Sequence, residues 1–351
     1  LWEFSVSDFR DSIIAPGSLN PSLRFRVPTE DGVRSGRSWA VASASGGAGR
    51  STLATMLGSR LVHGGFTTCI VDADWTSPMM ASMVGLPAGS TSSIWQADEP
   101  LQVERSPAHQ DLSVLVGGSP STSSPSLIQC AQLHQRLTAL PHKQVVLDLP
   151  SGCHDAALDL WLGSDFPLLV AVPERLPLEA TGRLLARVFA RQALPMLNQH
   201  LGPDEANKLL DAAWSECAGR TGTWMRTVAR LADIDASELS AQIGRKPIHL
   251  VLNRLRRAED IDVGHALVTA AGHGLGIDLR FRAALPYQAE GWIGARRLSA
   301  SLQSVSESNY NPLKEEVDEL LERMSSDTEV PQPGSRRWNL QGDSMARTAE
   351  P

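Results

Sequence analysis

Ser38-Trp39-Ala40-Val41-Ala42-Ser43-Ala44-Ser45-Gly46-Gly47-Ala48-Gly49-Arg50-Ser51-Thr52, running on into the helix-like stretch Leu53 to Leu61, decides the fold of this chain. A short apolar β-type run, a glycine-rich turn and a helix follow one another in that order. Glycines at 46, 47 and 49 permit torsions that bulkier residues resist, so successive backbone N–H groups can converge on a phosphate. The amino end of the following helix adds a favourable dipole. Ser51 is placed to ligate Mg²⁺. A glycine turn alone is a weak signal, but one between a buried strand and a hydroxyl-bearing helix start reads as a phosphate loop.

Outward from this turn, β-type runs alternate with helical stretches. The runs are Trp39 to Ser43, Thr67 to Val71, Leu112 to Val116, Gln144 to Leu149, Leu168 to Val172, Ile248 to Asn253 and Leu279 to Leu285. Helix candidates are Ser51 to Val62, Leu127 to Leu140, Leu178 to Ala193, Val263 to Ala271 and Asn311 to Met324. Near-continuous apolar strands separated by helices predict an α/β, doubly wound, mostly parallel sheet, with ligands beyond the carboxyl ends of the strands. Residues 38–325 are assigned to that domain. A helical insertion of about 195–246 interrupts it, and its Trp214 and Trp224 leave two readings open: packing onto the domain, or a partner surface. Residues 1–37 read as a flexible arm or a docking peptide carrying Trp2, Phe4 and Phe9, and 326–351 as a disordered polar tail.

At 351 residues the chain buries an ample core. Its 32 basic and 39 acidic residues give a net charge of −7, which disfavours nucleic acid as a partner. Arg256-Arg257, Arg280, Arg282 and Arg296-Arg297 are expected to be solvated, salt-bridging arginines more than a DNA-binding strip. Cysteines at 69, 130, 153 and 217 form no CxxC pair, and nine scattered histidines form no metal signature. A cytoplasmic protein without an intrinsic membrane anchor is the expectation, because no apolar run approaches roughly 20 residues. The segment Asn311 to Met324 is amphipathic, with Leu313, Val317, Leu320, Leu321 and Met324 on one face. Its other face is acidic, the wrong sign for anionic lipid, so it is assigned to the core.

Positions 45 to 52 resemble the phosphate loop of the MinD/ParA family of P-loop ATPases, Lys-Gly-Gly-x-Gly-Lys-Ser/Thr-Thr, with both lysines replaced. Ser45 stands where the family's first lysine reaches a dimer partner's phosphates. Arg50 stands where the second holds the terminal phosphates of its own subunit. Cys69-Ile70-Val71-Asp72-Ala73-Asp74 resembles the second-strand D-x-D, whose carboxylates sit near Mg²⁺ and the attacking water. Asp148-Leu149-Pro150-Ser151-Gly152 resembles the D-x-P-x-G whose aspartate contacts the Mg²⁺ shell. Val172-Pro173-Glu174 resembles the following V-x-P-E, and Asn253 resembles the asparagine that reads adenine. The insertion and Leu275 to Leu279 look most like the FlhG-related branch.

The resemblance implies ATP or ADP with Mg²⁺, bound weakly or lost. Gly46, Gly47, Ala48, Gly49, Arg50, Ser51, Thr52 and Asn253 would hold the nucleotide, Ser51 and Asp148 the metal, and Asp72 and Asp74 a vestigial catalytic pair. It also implies a protein partner reached through the arm or the insertion, a homodimer, and recruitment to a pole or a membrane-associated machine. A planar guanidinium is no simple substitute for a compact ammonium in a cupped loop. Two functions follow as expectations: a hydrolysis-deficient pseudo-ATPase scaffold, or a slow ATPase switch.

Overall fold

The computed structural model describes residues 36–87, 94–96, 99–107, 110–117, 124–152, 154–217, 221–287 and 312–331. The expected arm, apart from its last two residues, and most of the expected tail lie outside these.

Among the described residues, eight strands form a single sheet: β1 (Arg37–Ala42), β2 (Thr68–Asp72), β3 (Glu104–Arg105), β4 (Leu112–Val116), β5 (Gln144–Asp148), β6 (Phe166–Ala171), β7 (Ile248–Leu255) and β8 (Leu279–Pro286). Their spatial order is β3-β4-β2-β5-β1-β6-β7-β8. Every pairing is parallel except the two-residue edge β3 against β4. The fold expected from the alternating runs is therefore the fold observed, and β3 is the one strand that expectation lacked. Two residues are too short to carry any period.

The helices are α1 (Arg50–His63), α2 (Met80–Met83), α3 (Leu127–Thr138), α4 (Asp155–Gly163), α5 (Arg175–Leu201), α6 (Pro203–Glu216), α7 (Trp224–Ala232), α8 (Ala236–Ile243), α9 (Asp260–Leu275) and α10 (Pro312–Ser326). Strand alternation divides the core in two. Ala40 and Ala42 of β1, with Cys69 and Val71 of β2, face the layer of α3, α4, α5 and the helices after it. Trp39, Val41 and Ile70 face α1 and α10. On α1 the fully or nearly fully buried Leu53, Leu57 and Leu61 recur every four residues, which puts one stripe against the sheet. Each such side chain contributes roughly 2 kcal/mol by leaving water.

Between β6 and β7 the described residues form helices joined by turns, with no strand. The first of these helices continues to Leu201, past the Ala193 limit expected from the sequence, with Pro195 inside it. A proline removes one N–H and crowds the preceding turn, yet Ala193, Leu194 and Leu197 are buried on both sides of it, and their packing carries the helix through. Of the two readings for the tryptophans, the structure supports packing. Trp214 and Trp224 are 8% and 2% exposed, with ring centroids 4.8 Å apart and Phe189 4.7 Å from Trp224.

The amphipathic α10 lies on α1 and β8, burying Val317 and Leu320. Arg60 of α1 grips Asp318 through two hydrogen bonds of 2.6 and 2.8 Å. Residues 327–331 turn back along β8: the Val330 N–H donates to the Phe281 carbonyl at 2.8 Å, and Val330 is buried. Arg282, expected among solvated arginines, is 1% exposed and pairs with Asp327 and the Thr328 carbonyl. Arg280 is half-buried and pairs with Asp278 and Asp327. Arg296 and Arg297 lie outside the described residues.

Candidate phosphate-binding site

The chain leaves β1 in one direction toward β2 and β5 and returns to β6, β7 and β8 on the other side. β1 is thus the point where the sheet's winding reverses, the place where doubly wound sheets open a crevice at their carboxyl ends. Residues 43–49 form the turn there. Ser43 is fully buried, and its hydroxyl donates to the Ser45 carbonyl at 2.8 Å. The Gly152 N–H, from the loop after β5, donates to the Ser43 carbonyl at 3.0 Å. Gly47 (φ 72°) and Gly49 (φ 99°) take left-handed torsions, and Gly49 caps α1 in that conformation with no side-chain hydrogen bond. The Leu53 N–H closes the first turn on the Gly49 carbonyl at 2.9 Å. The N–H groups of Arg50, Ser51 and Thr52 are left without intrahelical acceptors, as at any helix start. Gly46, Gly47 and Thr52 are exposed, so the cradle opens outward, and its amide chemistry fits a phosphate.

The cation of the loop does not follow that direction. Arg50 is 9% exposed and folds beneath the turn. Its Nη2 donates to Asp74 Oδ2 at 3.1 Å and its Nη1 to Ser43 Oγ at 3.3 Å, while Nε lies 4.0 Å from Asp148 Oδ1. Asp74 is also held by the Thr76 N–H (2.9 Å), the Thr76 hydroxyl (2.5 Å) and the Ser77 N–H (3.1 Å). Asp72 is fully buried and accepts the N–H groups of Asp74 (3.2 Å) and Met80 (2.8 Å), which fixes the turn leading into α2. Trp75 packs beside this turn against Trp95 and His154.

Asp72 and Asp148 are register partners at the ends of β2 and β5, so the expected carboxylates do converge with the loop. Burial pushes Asp72 up to about 6 against its backbone hydrogen bonds, with Asp74 adding to the rise. It pushes Asp148 up to about 7, against the pull of the nearby Ser51 hydroxyl and the Arg50 guanidinium, with Asp72 and Asp74 adding to the rise. Among the described residues both oxygens of Asp148, at 1% exposure, lack a hydrogen-bond partner of normal geometry. Two orphaned buried oxygens beside a serine hydroxyl are the hard donor chemistry that Mg²⁺ takes, usually with several waters completing its shell. Ser51 and Asp148 therefore fit the ion, which when bound would neutralise phosphate charge. Asp74 does not join them, because its oxygens are already spent.

Asn253 and Arg254 arrive from the end of β7. The Asn253 amide nitrogen donates to the Ala48 carbonyl at 2.7 Å and its amide oxygen accepts the Arg254 N–H at 2.8 Å. Asn253 is thus a latch on the loop, and its Nδ2 would stand 2.3 Å from a Cβ at Gly49. Arg254 escaped the sequence reading. The only signal for it was its place after an asparagine that ends a buried strand; its left-handed φ of 65° and the strand irregularity around it leave no mark in the composition.

Residues 35–197 match the family described as ParA: NUBPL iron-transfer P-loop NTPase. No curated protein sequence matches the chain. Among solved structures it is similar to septum site-determining MinD complexed with Mg-ADP from Pyrococcus horikoshii OT3, at 16% identity and TM-score 0.52, covering 82% of this chain and 95% of that one. It is similar to the MinC:MinD cell division complex of Aquifex aeolicus, at 12% identity and TM-score 0.53, covering 84% and 98%. It is likewise similar to a Cyanothece McdA variant in complex with ATP, at 14% identity and TM-score 0.53, covering 85% and 99%. Residues 35–197 thus match a ParA-type P-loop NTPase family, and the eight-stranded, mostly parallel sheet has the fold of the MinD/ParA ATPases.

Proposed function

We propose that this protein binds ATP or ADP in the cradle of residues 46–52 but hydrolyses it slowly or not at all, and serves as a localisation or assembly scaffold for a protein partner. The observation that carries this reading is the inward stance of Arg50: its guanidinium bonds Asp74 and Ser43 beneath the loop, while residue 45 is a serine. Catalysis of phosphoryl transfer rests on positive charge aimed where negative charge develops. Losing one such contact costs several kcal/mol, about a hundredfold or more in rate. Binding draws on the ground-state amide cradle and tolerates that loss better.

A second reading, a slow ATPase switch that positions a cell-surface machine such as a flagellum, is supported by the convergence of Asp72, Asp74 and Asp148 at the loop. In it ATP would drive dimerisation and partner exchange. Solved relatives include MinD in complex with MinC, which favours a protein partner here. With Trp214 and Trp224 internal, that partner's contacts on the insertion would fall on other residues. No described helix is long and apolar enough to cross a membrane.

Titration with a fluorescent ATP analogue and Mg²⁺, with phosphate release followed in parallel, separates the readings. Saturable binding without turnover supports the scaffold. Turnover comparable to that of active relatives would replace it with the switch, and no binding would overturn both.

A further inference from the structure

We propose that Arg254 is the cation that clamps the phosphates in this site, taking over the task that Arg50 has given up. The inference rests on the phosphate-binding reading above and names the residue that makes it work.

The charge count at the loop requires a second cation. Arg50 is committed to Asp74 and Ser43, and Asp72 and Asp148 stand close behind it. A polyphosphate approaching the open mouth would therefore meet amide dipoles backed by carboxylates, with the one loop cation already paired. Amides alone hold a phosphate, but a polyanion of higher charge calls for an ammonium or guanidinium near its terminal groups.

Arg254 meets that need from the far side of the mouth. Its Nη2 lies 3.9 Å from where a Cβ on Gly47 would stand, so the guanidinium leans over the exposed part of the turn. The residue is half-buried, and its guanidinium makes no ion pair or hydrogen bond among the described residues. A partly desolvated guanidinium with no such partner among the described residues, beside a row of outward amides, is a donor waiting for an oxyanion.

The backbone holds it there at a cost. Arg254 takes a φ of 65°, a conformation non-glycine residues seldom adopt and one that persists only where the surroundings enforce it. The enforcement is visible: β7 shifts register against β8 between Asn253 and Leu255, and the Asn253 amide binds the Ala48 carbonyl with one end and the Arg254 N–H with the other. The same latch that fixes the strand to the loop turns the next side chain over Gly47. By contrast Arg256, two residues on, lies over the Tyr287 ring at 4.3 Å.

The test uses the whole chain and two probes, ADP and inorganic tripolyphosphate, each titrated calorimetrically into wild type, Arg254→Gln, Arg254→Lys and Arg256→Gln. Arg254→Gln should weaken both probes at least tenfold with melting temperature unchanged or raised, Arg254→Lys should recover part of the loss, and Arg256→Gln should stay within twofold. Adenosine binding, where measurable, should not respond to Arg254→Gln, which separates a phosphate contact from a general loosening. ADP binding that Arg254→Gln leaves within twofold of wild type overturns this inference while the nucleotide reading stands. Tripolyphosphate bound in an Arg254-dependent way without ADP binding upholds the clamp and removes the nucleotide reading. If neither probe binds wild type, both fall.

Discussion

Asp148→Asn should stabilise the protein by an amount that grows as pH rises from about 4 to about 7. In the folded chain burial holds this group up to about 7, against the ordinary carboxylate value of 3.8. The folded protein thus keeps the proton more tightly than the unfolded chain, so the carboxyl is without cost below about pH 4 and costs most above about pH 7. A rise of roughly three pH units at about 1.4 kcal/mol each sets a ceiling of about 4 kcal/mol. Because Asp72 and Asp74 share the same field, about 2 kcal/mol is the working figure. Asparagine has the same shape and no charge to desolvate. In metal-free buffer the variant should match wild type near pH 4 and melt roughly 4–8 °C higher at pH 8, taking the usual conversion for a domain of this size. Thermal melts by circular dichroism from pH 4 to 8 give the comparison. A gain of equal size at every pH, or a loss at pH 8, would refute the burial argument. Added Mg²⁺ should shrink the difference, since the ion would stabilise the wild-type carboxylate alone.

Gly49→Ala should destabilise the fold by about 2 kcal/mol or more and abolish phosphate binding, because φ is 99° and the new Cβ would meet Asn253 Nδ2 at 2.3 Å. Adding Asn253→Ala should restore part of the stability by removing the clash but not the torsional cost, measured by urea denaturation. Trp224→Ala, at 2% exposure between Phe189 and Trp214, should cost about 3–5 kcal/mol and make the segment between β6 and β7 the first site of limited proteolysis. Arg60→Ala should cost about 1 kcal/mol, less in high salt, because the pair with Asp318 is bidentate but partly exposed. The readout is melting temperature at two ionic strengths.

The sheet was legible because its parallel strands are buried on both faces and so read as short apolar runs; β4 falls on the predicted residues, and the other six predicted strands differ by one to two residues at their ends. Helix α4 was not foreseen: it is nine residues long and carries Trp161 and its neighbours in a nearly continuous apolar run, which has no helical stripe to detect. That Asp72, Asp148 and Asn253 lie around the loop was legible, and the directions of the side chains were not. The sequence puts an arginine at position 50 but does not say whether it faces the phosphate space or the carboxylates beneath. That choice depends on Asp74 and Asp148, brought in from β2 and β5 by the fold. Arg254 was hidden for a similar reason, since a positive φ on a non-glycine residue is set by tertiary contacts and not by its neighbours in the chain.

The proposed loss of hydrolysis rests on Ser45 and on the inward stance of Arg50, in a loop that keeps its cradle. Phosphate release at saturating ATP and Mg²⁺, compared between wild type and the Ser45→Lys/Arg50→Lys double variant, addresses this directly. Wild type should stay at background, with the double variant rising at least a hundredfold. Wild-type turnover already equal to that of the double variant would contradict the claim.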